Sequence, residues 1–255
     1  MPTGYRLRVL EETTSTNTAC LDAATQGDPG RLWIMARRQT AGRGSRGRDW
    51  VSQEGNLFAS LLLIDPAPRQ KLGTLTFVVA LAVRDTLADL FHQHGIVRDV
   101  SLKWPNDVLV SGRKVSGILL ESHAIAGKGV LIAGVGVNCA SHPDEVLHKA
   151  TDLASEGLSI SPEAFLKLMA GKLDLLVGQW ARGEGFEPIR RKWLEKATGV
   201  GERIYVKMAG RELSGTFDTI DENGMLDLEL DDGSIVKLSV ADIFFSNPPK
   251  TRKSD

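Results

Sequence analysis

An α+β fold, with a mixed β-sheet packed by helices and followed by a small all-β barrel, is what this sequence predicts. Three observations carry that reading. Several apolar runs are too short for helices, two long stretches repeat apolar residues at three and four, and after Gly201 the texture changes to alternating strands split by turn residues. With 255 residues and 42% hydrophobic content, the chain can bury a core and suits one large and one small domain. The expected division is 1–198, 199–248 and a flexible polar tail over 249–255. Basic and acidic residues nearly cancel, 31 against 32, so any electrostatic specialisation is local and no overall field points to nucleic acid. MPTGYRLRVLEETT lacks the apolar segment of an export signal, and no long apolar run suits a membrane span, so the cytoplasm is expected. Cys20 and Cys139 fit reduced, buried thiols better than a disulfide.

In chain order, Tyr5 to Leu10 reads as a first strand, and Thr13-Thr14-Ser15-Thr16-Asn17 precedes a helix ending at Gly27. Ser15 or Thr14 can cap that helix, and taken alone the cluster needs no other role. Leu32 to Ala36 and Leu57 to Ile64 are buried strands. From Lys71 to His94, Leu75, Val78, Val79, Ala82, Val83, Leu87, Leu90 and Phe91 define an amphipathic helix stopped at Gly95. His92 and His94 point to different faces, and the spacing of Cys139 and His142 has no second pair, so no zinc site is expected. Val100 to Ser122 forms a hairpin-like unit interrupted at Pro105-Asn106-Asp107, with Lys103 and Lys114 at opposite ends. Surface solvation accounts equally for two lysines. Gly117 sits in a buried-looking strand, and Gly134 and Gly136 lighten another from Gly129 to Cys139; such glycines admit either a ligand or a crossing neighbour. Ser161, Pro162 and Glu163 announce a helix to about Arg182, and Pro188 to Lys196 a shorter one closed by Gly199. Four barrel strands follow, Arg203 to Met208, Leu213 to Ile220, Met225 to Leu230 and Ser234 to Val240, with turns at Ala209-Gly210, Glu222-Asn223-Gly224 and Asp231-Asp232-Gly233.

QTAGRGSRGRDW, from Gln39 to Trp50, is the stretch richest in chemistry. Between Arg37 and Arg48 lie five arginines (Arg37, Arg38, Arg43, Arg46 and Arg48) and no acid, interleaved with Gly42, Gly44 and Gly47. Glycines let backbone N–H groups approach a ligand, and guanidinium forks suit carboxylate and phosphate oxygens. The glycines also spell G-x-G-x-x-G, with Asp65 at the spacing of a ribose-binding acid, but no helix opens on them. An anion-binding loop between two strands is therefore expected, and its composition predicts disorder without ligand.

Together, Ser15-Thr16-Asn17, QTAGRGSRGRDW, KWPND at 103–107, GRKVSGIL at 112–119 and GVGVN at 134–138, followed by a small barrel, resemble the biotin protein ligases from about Arg6 to Phe245. The resemblance implies a biotin synthetase or class II synthetase-like catalytic sheet, an SH3-like C-terminal barrel, and a two-step reaction. Biotin and ATP give biotinyl-5'-AMP and pyrophosphate with Mg²⁺. A lysine of the biotin carboxyl carrier protein of acetyl-CoA carboxylase or a related carboxylase then takes the biotinyl group. By the same resemblance Ser15, Thr16 and Gln39 bind the ureido ring, beside Asn17. Gly117 and Leu119 wall the pocket, and Arg43, Arg46 and Arg48, with Gly42, Gly44 and Ser45, form the loop closing over carboxylate and phosphates. Lys114 meets the biotinyl carbonyl or a phosphate oxygen, Lys103 neutralises phosphate, Trp50 offers adenine a face, and Asn106 and Asn138 contact purine or phosphate. Asp107 is the candidate proton acceptor of the second step, since a free lysine is almost wholly protonated at neutral pH.

Ser45 departs from the pattern, because many members carry arginine there; a cation is missing at the rim, and Arg43, Arg46 and Arg48 are expected to compensate in part in retaining the adenylate. Some relatives open with a helix-turn-helix domain, whereas this chain starts just before its first strand, so no operator binding is expected and the protein is taken as a monomer or homodimer. Three alternatives are weaker. A lipoate or octanoate ligase or transferase shares the superfamily fold, but KWPND and the arginine loop argue against it. A biotin-capturing module would not need Lys103 and Lys114, and a nucleic-acid reader lacks aromatic platforms.

Overall fold

The computed structural model describes residues 1–144, 149–208, 211–239 and 241–245. The turn expected at Ala209-Gly210, the end of the last expected strand at Val240 and the tail from Asn247 lie outside the described residues. The N-terminal part runs β1 (Arg6–Thr13), α1 (Thr16–Thr25), β2 (Leu32–Gln39), β3 (Leu57–Ile64), α2 (Leu75–Gln93), β4 (Val100–Lys103), β5 (Asp107–Val110), β6 (Arg113–Ile125), β7 (Lys128–Val137), α3 (Pro162–Trp180) and α4 (Phe186–Leu194). The C-terminal part holds β8 (Arg203–Met208), β9 (Arg211–Ile220), β10 (Leu226–Glu229), β11 (Ile235–Leu238) and β12 (Asp242–Phe244).

Seven strands form one sheet in the order β1-β2-β3-β7-β6-β5-β4. It is mixed, because β1 and β2 are parallel while the other pairs are antiparallel. Both faces are covered, which explains why the central strands read as unbroken apolar runs. Leu32, Ile34, Leu62, Val130 and Ile132 pack with Cys20, Ala23 and Ala24 of α1. Their alternates Trp33, Met35, Leu61, Leu131 and Ala133 join the larger core under α2 and α3. Both cysteines are free and buried, and burial pushes each thiol up to about 12.

Helix starts and stops follow local chemistry in part. Ser161 Oγ accepts from Ala164 N at 3.2 Å, the expected cap of α3. That helix ends at Trp180, not Arg182, because Ala181 and Arg182 turn left-handed (φ 46° and 62°). α2 is preceded by a 3-10 segment, Arg69–Thr74, and α4 begins at Phe186, so Pro188 lies inside its first turn, where a missing N–H costs nothing. β1 continues three residues beyond Leu10, paired with β2 as far as Thr13.

The five C-terminal strands form an antiparallel sheet in the order β11-β10-β9-β8-β12, the expected SH3-like module with one strand that the four-strand reading lacked. It does not keep its core to itself. Ile204, Val206, Phe217, Ile220 and Leu226 belong to the same buried cluster as α2. Trp104 Nε1 donates to Gly224 O at 3.1 Å across the junction. Gly224 (φ +81°) approaches Phe77 so closely that a Cβ would lie 2.4 Å from its ring, and Phe77 in turn meets Trp193 edge-on at 5.2 Å.

Candidate active site

The parallel pairing of β1 and β2 brings the two N-terminal motifs together. Beyond the strands the ladder continues, with Thr40 N donating to Thr13 O and Ala41 N to Thr14 O, both at 2.9 Å. Ser15-Thr16-Asn17 therefore start α1 directly beside the arginine loop. Ser15 occupies the N-cap, extended at φ −156°, but makes no capping bond. Gln39 takes over that work: its Oε1 accepts from Thr16 N at 2.8 Å and from Thr16 Oγ1 at 3.2 Å. The expectation that Ser15 caps the helix by its hydroxyl is corrected accordingly.

Behind these residues runs a buried polar chain. Asn17 Nδ2 donates to Glu121 Oε2 at 2.8 Å, which fixes the amide's orientation, since a carboxylate only accepts. Asn17 Oδ1 accepts from Ser60 Oγ at 2.6 Å. Ser60 Oγ also lies 2.7 Å from Thr16 Oγ1, so the two hydroxyls and the Asn17 amide form one connected chain. Glu121 also receives Arg43 Nη2 on both oxygens, at 3.0 and 2.9 Å. Arg43 is thereby drawn to the α1 end of the site, away from the lysines, and its Nη1 donates to Thr18 Oγ1 at 3.0 Å.

Opposite lies a floor of glycines. In the β6–β7 register Gly117 faces Gly136 and Leu119 faces Gly134. A Cβ on Gly136 would come within 2.5 Å of Trp50, one on Gly117 within 2.9 Å, and one on Gly134 within 2.4 Å of Asn17 Oδ1. Both readings of these glycines meet here, because the crossing neighbour is itself a side chain of the cleft. Trp50 N donates to Gly42 O at 2.9 Å, and Trp50 Nε1 is buried without a partner. Gly42 stands outside the cleft lining and serves the loop's path: a Cβ there would meet Trp50 O at 2.5 Å.

The lysines do not stand at opposite ends of a unit as expected; they converge on Asp107. The β4–β5 hairpin pairs Lys103 with Asp107. Lys114, beside the bulge of β5 against β6, sends its Nζ to 2.5 Å from Asp107 Oδ1 and 5.5 Å from the Trp50 ring. The contact is an ion pair without hydrogen-bond alignment, since Asp107 Oδ1 has no directed partner. Lys103 is 6% exposed, and burial lowers its pKa to about 8, partly offset by Asp107.

The resulting cleft is partly open to solvent, with a cavity volume of about 170 Å³. Ser15, Thr16, Asn17, Gln39, Arg43, Gly44, Ser45, Arg48, Trp50, Asn106, Lys114, Gly117, Leu119 and Asn138 line it, whereas the buried Lys103, Asp107 and Gly42 and the exposed Arg46 do not. Asn106 and Asn138 spend their amide N–H on Ile118 O (2.7 Å) and Thr151 O (3.0 Å). Ser45 steadies Arg48, accepting Nε on its carbonyl at 3.3 Å and Nη2 on Oγ at 3.1 Å. Two of the five arginines leave the cluster, because the β1–β2 register hands Arg38 to Glu12, and Arg37 pairs with Glu11 and Glu163. Asp65 is far from any ribose role, its Oδ1 accepting from Gly129 N at 2.7 Å. Sequence reasoning missed Glu121 and Ser60, although each carried a signal: Glu121 shares the strand face of Gly117 and Leu119, and Ser60 is polar inside LFASLLLI.

Residues 9–138 match the Biotin/lipoate A/B protein ligase family, and residues 199–246 match the Biotin protein ligase C terminal domain. The chain belongs to the biotin/lipoate A/B protein ligase family. Among similar proteins, Biotin--[acetyl-CoA-carboxylase] ligase of Paracoccus denitrificans is 39% identical over 251 residues, 93% of this chain and 99% of that one. Bifunctional ligase/repressor BirA of Bacillus subtilis (strain 168) is 34% identical, covering 94% of this chain and 74% of its own. A solved biotin protein ligase from Aquifex aeolicus in complex with biotin and ATP superposes with a TM-score of 0.77 at 28% identity, over 94% of this chain and 99% of that one. Among the described residues, no helix of this family member is long and apolar enough to cross a membrane.

The hidden chain is open to test. Ser60→Ala leaves Asn17 Oδ1 without its donor in a buried site, and is expected to cost about 1–3 kcal/mol in urea unfolding. An unchanged midpoint would contradict the assigned polarity.

Proposed function

We propose that this protein is a biotin ligase that forms biotinyl-5'-AMP from biotin and ATP and passes the biotinyl group to a lysine of a biotin carboxyl carrier domain. The observation that carries the reading is one continuous cleft lined both by neutral hydrogen-bonding groups (Ser15, Thr16, Gln39), beside which Arg43 is neutralised by Glu121, and by the cations Lys114 and Arg48. That combination suits a ligand with an uncharged polar ring and a carboxylate. The match to the biotin protein ligase C-terminal domain, and relatives named as biotin ligases, favour biotin over lipoate.

In the first step a biotin carboxylate oxygen attacks the α-phosphorus of ATP, and the bond to the pyrophosphate oxygen breaks. Two anions meet, so their repulsion must be offset by fixed cations. Lys114 is placed for this from the cleft wall, Arg48 from the loop, and Lys103 from behind Asp107. Mg²⁺ would arrive on the triphosphate, whose oxygens and water fill most of its coordination, and it would add neutralising charge. In the second step the carrier lysine Nζ attacks the acyl carbon, AMP leaves, and the amine proton passes to a base. Asp107 takes it by exchanging its Lys114 partner. The reaction is assigned to the cytoplasm, by a monomer or homodimer.

Biotin-dependent exchange of labelled pyrophosphate into ATP tests the reading, with lipoate and octanoate as controls. Exchange with biotin alone is expected; exchange with lipoate alone would move the protein to the lipoate branch. Asp107→Ala is expected to keep adenylation and lose transfer, whereas equal loss of both steps would assign Asp107 to holding Lys114. The Lys103 ammonium is present below a pH of about 8 and lost above it. The KM for ATP should therefore climb towards about tenfold per pH unit in more alkaline buffer. Lys103→Arg, charged throughout, should abolish that climb, and a wild-type KM flat to pH 10 (about two units above the lysine's titration) would contradict it.

A further inference from the structure

The C-terminal sheet reaches the arginine loop. Asp242, the first residue of β12, pairs through its Oδ1 with Arg46 Nη2 and lies 3.3 Å from Arg48 Nη1. Just beyond the strand, the Phe245 ring stands 5.7 Å from Lys103 Nζ. One short segment thus touches three of the cations supplied by the arginine loop and KWPND.

The loop cannot hold itself in place by charge. Arg46 adopts a left-handed conformation (φ 61°) between Gly44 and Gly47, and its arginines repel one another. Within the loop, Gly44 N donates to Arg48 O at 2.7 Å, and Ser45 braces Arg48. Among the described residues, the bonds tying Arg46 and Arg48 to anything outside the loop run to Asp242. Its side chain is only 18% exposed, so it is a partly desolvated anion of the kind that a guanidinium pair grips.

We propose that Asp242 is a positioning residue for the nucleotide: it holds Arg46 and Arg48 ordered beside the cleft, ready to meet the phosphates of ATP. The proposal rests on the adenylating role given above and adds the C-terminal sheet to the nucleotide site. Two effects of removing the carboxylate oppose each other. Loss of a negative charge raises the local potential and favours ATP, but it also leaves the Arg46 and Arg48 guanidiniums to repel each other without their shared partner. Loss of the anchor leaves a glycine-bearing loop to be ordered by the nucleotide itself, which lowers apparent affinity by the fraction of molecules correctly arranged. The second effect wins.

The test uses the full-length protein with Asp242→Asn and Asp242→Glu in biotin-dependent pyrophosphate exchange. Asp242→Asn is expected to raise the KM for ATP roughly three- to tenfold, with the KM for biotin held within about twofold because the ureido end is not touched. Asp242→Glu should restore most of the loss. An unchanged or lower KM for ATP, or equal rises in both KM values, would overturn the proposal. Trypsin digestion of the ligand-free protein gives an independent reading. In Asp242→Asn the first cuts should fall at Arg46 and Arg48 and come faster than in wild type; equal rates there would overturn it too. Absence of exchange in the wild type would sink the adenylating role itself, and the trypsin rates would still decide whether Asp242 holds the loop.

Discussion

Close approach over a floor without side chains is the constraint from which the site follows. Gly117 and Gly136 face each other across β6 and β7, and Gly134 lies two pairs further on, opposite Leu119. Trp50 and Asn17 descend onto that floor at distances that no Cβ would permit. Trp50 can reach it only because the loop after β2 folds back through Gly42, and Asn17 only because the parallel β1–β2 ladder sets α1 beside the same loop. The sheet order thus has a chemical purpose: it stacks two sequence-distant motifs over the centre of a rigid sheet, where positions are held most accurately.

Charge is distributed along the cleft rather than pooled. Arg43 is drawn by Glu121 to the α1 end, and Lys114 and Lys103 share Asp107. Arg46 and Arg48 share Asp242. Each cation has an acidic partner that it can exchange for a substrate oxygen, so the free protein avoids the repulsion of bare cations. Burial chiefly weakens the hold of Lys103 on its proton, with the neighbouring Lys114 and Arg48 adding to that effect and Asp107 and Asp242 opposing it.

Much of this was legible in the sequence because it is local. Apolar runs, the Ser161-Pro162 helix start and the turn glycines predict elements that the structure contains, and the family resemblance that the motifs carry implies one shared site. What escaped was set by register and by distance. Strand pairing, not composition, removes Arg37 and Arg38 from the anion loop. The capping role passed from Ser15 to Gln39 because the parallel ladder brought a better acceptor to Thr16 N. Asp242 lies in a three-residue strand too short for any periodicity, nearly two hundred residues from its arginines (|i−j| 196 for Arg46). Glu121 was within reach of simple alternation from Gly117, and only its polar character in an apolar strand marked it out.

The most direct test of one cleft joining two substrates is to incubate the protein with biotin, ATP and Mg²⁺ without carrier, desalt it, and identify the retained ligand by mass spectrometry. The proposed function predicts biotinyl-5'-AMP from biotin and no corresponding adenylate from lipoate. Recovery of unmodified biotin alone, or of a lipoyl adenylate, would contradict it.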